Sequence, residues 1–105
     1  MNAQDELKTR DMEILFQPFH SRKLNTPTRI VLPAMTRGFS PNGVPTDQVA
    51  AYYKRRAGHE VGLIITEGTF IDEPSASPSS NYPNFFGGAS LRGWKKVLEL
   101  SLIHI

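Results

Sequence analysis

A proline, a small residue, a thioether and a hydroxyl follow the first apolar run of this sequence. They are Pro33, Ala34, Met35 and Thr36, placed directly after residues 29–32, "RIVL". Proline has no backbone N–H to donate, so Pro33 marks the end of a buried strand and not its middle. A hydroxyl can donate a hydrogen bond. A core strand that ends in so mixed a set can therefore present a contact surface for a bound molecule.

A glycine closes the second apolar run. Gly68 comes after residues 63–66 and Glu67, and a serine- and proline-rich loop at residues 72–90 comes next. Ligands of parallel α/β folds lie at the carboxyl ends of the strands. Loops longer than ~12 residues without structure of their own are commonly functional or disordered. Both runs and the long loop therefore indicate a site at one edge of a parallel sheet.

Each of these residues also has an ordinary structural role. Pro33 can simply end a strand, and Met35 can fill a core. Thr36 can bond to solvent or backbone, and Gly68 can serve a turn. Arg37 can face a phosphate or a substrate, but a structural salt bridge is the better interpretation. Only the joint pattern favours a binding site.

The segment between the two runs predicts one helix with clear ends. Residues 47–57, "DQVAAYYKRRA", carry apolar residues at helical spacing. Thr46 is a suitable N-cap and Gly58 a suitable stop. A tight turn is expected before the helix, at residues 41–43, "PNG".

A second helix is expected from near Leu91. Its predicted packing face consists of Trp94, Val97 and Leu98. The order strand, helix, strand, helix makes a βαβ unit, whose strands should be parallel. Leu32 and Ile65 should therefore lie on adjacent strands.

Two short extended segments are predicted ahead of the first strand, at residues 15–19 and 22–24. Residues 25–27, "NTP", suit a turn between them and that strand. These segments do not belong to the βαβ unit.

Composition excludes several classes of protein. The 105 residues carry 12 basic and 10 acidic side chains and no cysteine. The basic residues are scattered, which argues against a nucleic-acid interface. No apolar run approaches the ~18 residues of a membrane helix, and the N-terminus lacks the apolar core of a signal peptide. A cytoplasmic protein is expected. His20, His59 and His104 are too far apart, and too poor in acidic neighbours, to predict a metal site.

Several motifs together resemble the old yellow enzyme family of FMN-dependent NADH:flavin oxidoreductases and ene-reductases. They are "LFQPF", "RIVLPAMTR", "GVPT", "AAYYKRRA", "GLIITEGTFI" and "GWKKVLE", which span residues 15–99. The resemblance implies the N-terminal portion of a (β/α)8 TIM barrel, about two βα units preceded by a hairpin that closes the bottom of the barrel. It divides the chain into a polar leader at residues 1–13, the barrel portion at 14–100 and an atypical tail at 101–105.

The resemblance also implies where FMN binds. Carried over by position, the flavin contacts fall on Pro33, Ala34, Met35, Thr36 and Gly68. A glycine lets the backbone approach the edge of the flavin ring, and a threonine hydroxyl can donate to it. The family's substrate-binding pair, proton-donating tyrosine and phosphate-binding loops have no counterpart in these residues, so no catalytic residue is assigned.

The function implied by the resemblance is hydride transfer from NADH or NADPH, through FMN, to an activated alkene such as an α,β-unsaturated carbonyl compound. The expected partner is a small electrophilic molecule, with no nucleic acid or membrane, in a parent protein that can be homo-oligomeric. A barrel of this kind needs ~250 residues, so the chain is expected to be a fragment. The alternative is a catalytically inactive fragment or a small interaction module.

Overall fold

Two parallel strands and two helices form the centre of the structure, a computed structural model that describes residues 12–76 and 79–102. The strands are β1 (Phe19–His20), β2 (Asn25–Thr26), β3 (Val31–Leu32) and β4 (Leu63–Ile64). The helices are α1 (Asp47–Ala57) and α2 (Gly88–Leu102), with short 3-10 turns at Ile14–Phe16 and Pro41–Gly43. Within the described residues, no helix is long and apolar enough to cross a membrane.

The central pair, β3 and β4, is parallel, as predicted. Val31 pairs with Leu63 and Leu32 with Ile64, and the Ile65 N–H donates to the Leu32 carbonyl at 3.0 Å. The adjacency expected for Leu32 and Ile65 is thus confirmed. β4 ends two residues before the predicted run does, because Pro33 has no N–H with which to continue the ladder, and β3 begins two residues later than predicted, at Val31.

The hairpin formed by β1 and β2 lies apart from this pair. Its strands are antiparallel, with Phe19 opposite Thr26 and His20 opposite Asn25. It matches the expected hairpin, but its strands begin and end at other residues. The predicted strand at 15–19 is wrong over most of its length, because residues 14–16 form a 3-10 turn.

The second extended segment was also misplaced, since residues 22–24 form the turn of the hairpin. The Ser21 N–H donates to the Leu24 carbonyl at 2.9 Å, and the Leu24 N–H donates to Ser21 Oγ at 3.2 Å. Serine hydroxyls stabilise such turns by bonding to nearby backbone. The strand therefore forms at Asn25–Thr26, where the sequence predicted a turn.

Helix α1 has the predicted ends. Thr46 has extended backbone, and its side chain accepts a hydrogen bond from the Val49 N–H at 3.3 Å. Asp47 adds a negative charge to the first turn, which favours the helix dipole. Gly58 caps the last turn by donating its N–H to the Lys54 carbonyl. The tight turn predicted at 41–43 is present as a 3-10 turn.

Helix α2 begins at Gly88, earlier than the predicted start near Leu91. The Leu91 N–H donates to the Gly87 carbonyl at 3.0 Å, which closes the first turn. Trp94 and Val97 are buried as predicted, whereas Leu98 is more than half exposed.

The core lies between the two helices and the parallel strands. Its buried residues are Val49, Ala50, Tyr52, Tyr53, Trp94 and Val97. Leu32, Ile64 and Leu100 pack against this cluster. The helices approach closely at Gly93, where a Cβ would lie 2.6 Å from the Pro45 carbonyl oxygen. Only glycine fits at that position without a shift of the backbone.

Apolar side chains of the parallel pair remain open to solvent. Val31 is 46% exposed and Ile65 is 48% exposed. They lie on the face of the pair opposite Leu32 and Ile64, which pack against the helical core, and this apolar face is not covered by the described residues. Surfaces of this kind, beside open strand edges, promote association.

We expect the isolated 105-residue polypeptide to self-associate and to bind a hydrophobic dye, because burying this surface is favourable by ~25 cal/mol per Å². Sedimentation velocity and dye fluorescence measure both properties. Ile65→Glu should weaken association, whereas Lys95→Glu, a charge change on the exposed surface of helix α2, should leave it intact. A monodisperse polypeptide that unfolds in one cooperative transition and binds no dye would contradict this expectation.

Candidate functional site

The predicted site residues lie at the carboxyl ends of the two parallel strands. Pro33, Ala34, Met35 and Thr36 follow β3 directly, and all four are exposed. Gly68 follows β4 and is exposed as well. The residues therefore share one edge of the sheet, as the topology of a parallel pair requires.

The structure brings Thr36 and Gly68 together. A Cβ built on Gly68 would lie 3.2 Å from Thr36 Oγ1, which is tighter than most real contacts of a Cβ atom. Within residues 12–76 and 79–102 the Thr36 hydroxyl takes part in no hydrogen bond. The pair thus presents a free hydroxyl beside a backbone segment without a side chain, which suits the edge of a flat polar ligand.

A buried acid lies directly behind this pair. Glu67 is 2% exposed, and its Oε2 accepts a hydrogen bond from the Tyr53 hydroxyl at 3.0 Å. The same hydroxyl accepts a hydrogen bond from the Glu67 backbone N–H at 2.9 Å. Glu67 Oε1 is buried and has no partner among the described residues. Tyr53 therefore links helix α1 to the end of β4.

Tyr53 also packs in the core. Its ring lies 5.2 Å from that of Tyr52 and 6.5 Å from that of Trp94, centroid to centroid. The hydrogen bonds to Glu67 were not predicted. The available signal was the acid at the end of an apolar run, because a buried carboxylate requires a hydrogen-bond donor.

Burial raises the pKa of Tyr53 from 10.0 to about 12. The Glu67 backbone N–H acts in the opposite direction, while the charge of the Glu67 carboxylate raises the pKa further. Tyr53 is therefore a neutral phenol at physiological pH. It can donate to the carboxylate and accept from the N–H at the same time.

The salt bridge predicted for Arg37 is wrong for the described part of the chain. The Arg37 guanidinium lies 3.5 Å from the centroid of the Tyr52 ring and 5.4 Å from that of Phe39. Arg56 lies 3.7 Å from the same Tyr52 ring. Both cations are stabilised by the negative face of the Tyr52 ring.

The long loop is anchored beside the site. The Tyr82 ring stacks on Phe70 with centroids 5.7 Å apart, and the Asn84 N–H donates to the Gly43 carbonyl at 2.9 Å. The Trp94 indole donates to the Asn84 carbonyl at 3.0 Å. Tyr82 and Asn84 therefore anchor the loop. Phe85 remains largely exposed.

The histidines form no metal site in residues 12–76 and 79–102, where no cluster of three His, Asp, Glu or Cys side chains occurs. The His20 Nδ1–H donates to Asn25 Oδ1 at 2.9 Å. His104 lies outside the described residues.

The sequence was compared with known families and proteins. The profile of the NADH:flavin oxidoreductase / NADH oxidase family matches residues 14–101. Chanoclavine-I aldehyde reductase of Penicillium roqueforti is 35% identical over 84% of the chain. Enoate reductase 1 of Kluyveromyces lactis is 32% identical over 81% of the chain. The chain spans 24% and 22% of the lengths of these two relatives.

Solved structures resemble the fold over a similar range. Morphinone reductase in complex with tetrahydroNAD superposes with a TM-score of 0.76 at 33% identity, covering 86% of this chain and 24% of that one. The Old Yellow Enzyme from Pichia sp. AKU4542 superposes with a TM-score of 0.77 at 32% identity, covering 87% of this chain and 24% of that one. The match extends over both helices and the parallel strands.

The raised pKa of Tyr53 predicts a loss of stability at alkaline pH. Folding favours the neutral phenol, so its contribution is complete below pH 10 and declines as the pH rises to about 12. At ~1.4 kcal/mol per pKa unit the loss is roughly 2–3 kcal/mol of unfolding free energy.

Urea unfolding of the full-length protein that carries this sequence measures the effect across that pH range. The unfolding free energy of the wild type and of Tyr52→Phe should fall as the pH rises from 10 to about 12. In Tyr53→Phe the part of this decrease that comes from Tyr53 should be absent. Equal pH slopes for Tyr53→Phe and the wild type would contradict the assignment.

Proposed function

Because the chain belongs to the NADH:flavin oxidoreductase / NADH oxidase family, we propose that the protein carrying it is an FMN-dependent oxidoreductase acting on activated alkenes. The reductant is NADH or NADPH, and the substrate class is α,β-unsaturated carbonyl compounds. The fold is the N-terminal part of a (β/α)8 barrel, with two βα units and the preceding hairpin. The names of enoate reductase 1 and of the tetrahydroNAD complex support the proposed substrate and reductant.

One observation carries the proposal, namely the free Thr36 hydroxyl beside the bare backbone of Gly68. A side chain at Gly68 would fill the space, because even a Cβ would lie 3.2 Å from Thr36 Oγ1. FMN has a flat ring whose edge carries carbonyl oxygens and ring nitrogens, and when bound it supplies the hydride-accepting and hydride-donating group. The residues present fit this group.

The residues of this chain would hold the ring and tune it. Thr36 would donate its hydroxyl to the polar edge, where the interaction strengthens as negative charge develops. Pro33 and Ala34 present short side chains at the end of β3, and Met35 presents an exposed thioether beside them. Gly68 would admit the ring from the side of β4.

The second candidate is a catalytically inactive fragment or a small interaction module. It is supported by the exposure of Val31 and Ile65 on the parallel pair, which leaves an apolar surface free for another polypeptide. In this alternative the Thr36 hydroxyl has no ligand.

The experiment that separates the two uses the full-length protein that carries this sequence, loaded with FMN, here called the holoenzyme. Anaerobic addition of NADH or NADPH should bleach the visible flavin absorbance, and a cyclic enone should restore it. The saturated analogue of the enone is the control and should restore nothing. A protein that takes up no FMN, or whose absorbance neither nicotinamide bleaches, would overturn the proposed function.

We expect Thr36→Ala to lower the midpoint potential of the holoenzyme. A hydrogen bond to a charged group contributes about 1.5–3 kcal/mol, and only part of it differs between oxidation states. The shift should therefore be on the order of tens of millivolts, since 30 mV corresponds to about 1.4 kcal/mol for two electrons. FMN affinity should change less, and reduction by the nicotinamide should slow.

Thr36→Ser is the matched control, because it keeps the hydroxyl and should retain the potential. Potentials equal within error for the wild type and Thr36→Ala would remove Thr36 from the flavin site.

The isolated 105-residue polypeptide should bind FMN weakly or not at all. Its described residues offer the ring contacts proposed above, but the phosphate-binding loops of the family have no counterpart among them. Dialysis against FMN followed by a visible spectrum measures the binding. A stoichiometric yellow complex with a low-micromolar Kd would show that these residues suffice.

A further inference from the structure

The segment after β4 has a single backbone anchor. The ladder ends where the Ile65 N–H donates to Leu32, and the next backbone pairing joins the Phe70 N–H to the Pro83 carbonyl. Among the described residues, the only bonded backbone group between these points is the Glu67 N–H, which donates to the Tyr53 hydroxyl at 2.9 Å. Residues 66–69, which include Gly68, therefore depend on Tyr53 for their position.

The same hydroxyl also fixes the side chain of Glu67. It donates to Oε2 at 3.0 Å, while Oε1 is buried without a partner in the described part of the chain. Tyr53 is thus the one donor that the described residues supply to this carboxylate. A buried carboxylate without donors carries a large desolvation cost, so the bond constrains Glu67 strongly.

The side chain of Tyr53 is held in one position by the core. Its side chain is 2% exposed and packs in the core formed by helices α1 and α2. A phenol has few rotatable bonds, and its ring here is held against Trp94 and Tyr52. The position of its oxygen is therefore set by the core and not by the exposed strand ends.

We propose that Tyr53 is a positioning residue for the flavin site, whose hydroxyl holds the Glu67–Gly68 peptide so that Gly68 stays beside the Thr36 hydroxyl. The inference rests on the proposed function, since it concerns the same site. Tyr53 itself touches no ligand. It acts through Glu67, by holding the backbone against which the edge of the flavin ring lies.

Two variants of neighbouring tyrosines isolate this role. Tyr53→Phe removes both hydrogen bonds and keeps the ring in the core. Tyr52→Phe removes the hydroxyl of the adjacent residue on the same helix, and that hydroxyl has no hydrogen bond among the described residues. Glu67→Gln is a conservative variant, because its amide oxygen can still accept from Tyr53 and its N–H is unchanged.

The test measures FMN affinity, the visible spectrum at saturating FMN and the midpoint potential of the holoenzyme. Tyr53→Phe should raise the Kd for FMN by about tenfold, the effect of one net hydrogen bond. It should also shift the flavin absorption bands and the midpoint potential. Tyr52→Phe should retain all three values, and Glu67→Gln should retain the Kd to within a few-fold.

A readout without FMN accompanies these measurements. Amide hydrogen exchange of the apoprotein should be faster at residues 66–69 in Tyr53→Phe than in the wild type or Tyr52→Phe. If Tyr53→Phe does not fold, the wild-type apoprotein supplies the test, because its Glu67 amide should exchange more slowly than the amides of residues 66, 68 and 69. Equal exchange rates across residues 66–69 would overturn the positioning role.

The outcomes distinguish the two proposals. A wild type that takes up no FMN overturns the proposed function and the positioning role with it, while hydrogen exchange still reports whether Tyr53 holds the segment. A Tyr53→Phe holoenzyme with wild-type Kd, spectrum and potential overturns the positioning role alone. This holds even where the variant lowers Tm, because loss of a purely structural contact changes Tm and leaves the Kd for FMN, the flavin spectrum and the midpoint potential unchanged.

Discussion

A buried carboxylate at the end of a strand must have a donor, and this requirement organises the centre of the molecule. Glu67 lies beyond the end of β4 and is 2% exposed. The Tyr53 hydroxyl donates to Glu67 Oε2 at 3.0 Å and accepts a hydrogen bond from the Glu67 backbone N–H. Helix α1 is therefore joined to the sheet by a directional contact in addition to apolar packing, and the spacing between helix and strand end is fixed.

The candidate site follows from how the parallel strands end. Pro33 cannot continue the ladder, so the chain after β3 turns away from the sheet and exposes Thr36. After β4, the contact between Glu67 and helix α1 leaves Gly68 at the surface beside that hydroxyl. This edge of the sheet presents a hydroxyl and backbone groups. Such groups can position a cofactor that itself supplies the reactive group.

Local signals predicted much of the fold. Thr46, Asp47 and Gly58 delimit helix α1 through contacts within a few residues, so its ends were readable. The apolar runs predicted the parallel pair, because strands buried on both faces have few polar residues. The hairpin was misplaced, since Ser21 bonds to Leu24 and moves the turn earlier than composition indicated.

Only part of the candidate site could be predicted from the sequence, because some of its contacts join residues far apart in the chain. Pro33–Thr36 and Gly68 were identified from their places after apolar runs and from the family resemblance. The bond from Tyr53 to Glu67 joins a helix to a strand end, and no local pattern encodes it. Arg37 was assigned a salt bridge because charge is visible in a sequence, whereas the ring of Tyr52 that it contacts becomes adjacent only in three dimensions.

The adjacent tyrosines of helix α1 make the chain sensitive to length changes at one place. The Tyr52 ring contacts the cations of Arg37 and Arg56, whereas the Tyr53 hydroxyl is hydrogen-bonded to the acid Glu67. Each helical residue turns the chain by ~100°, so a one-residue insertion between Thr46 and Tyr52 would rotate Tyr52 away from Arg37 and Tyr53 away from Glu67 together. Gaps among homologous sequences should therefore be rare between the cap and the tyrosines and more frequent in the serine- and proline-rich loop that follows β4.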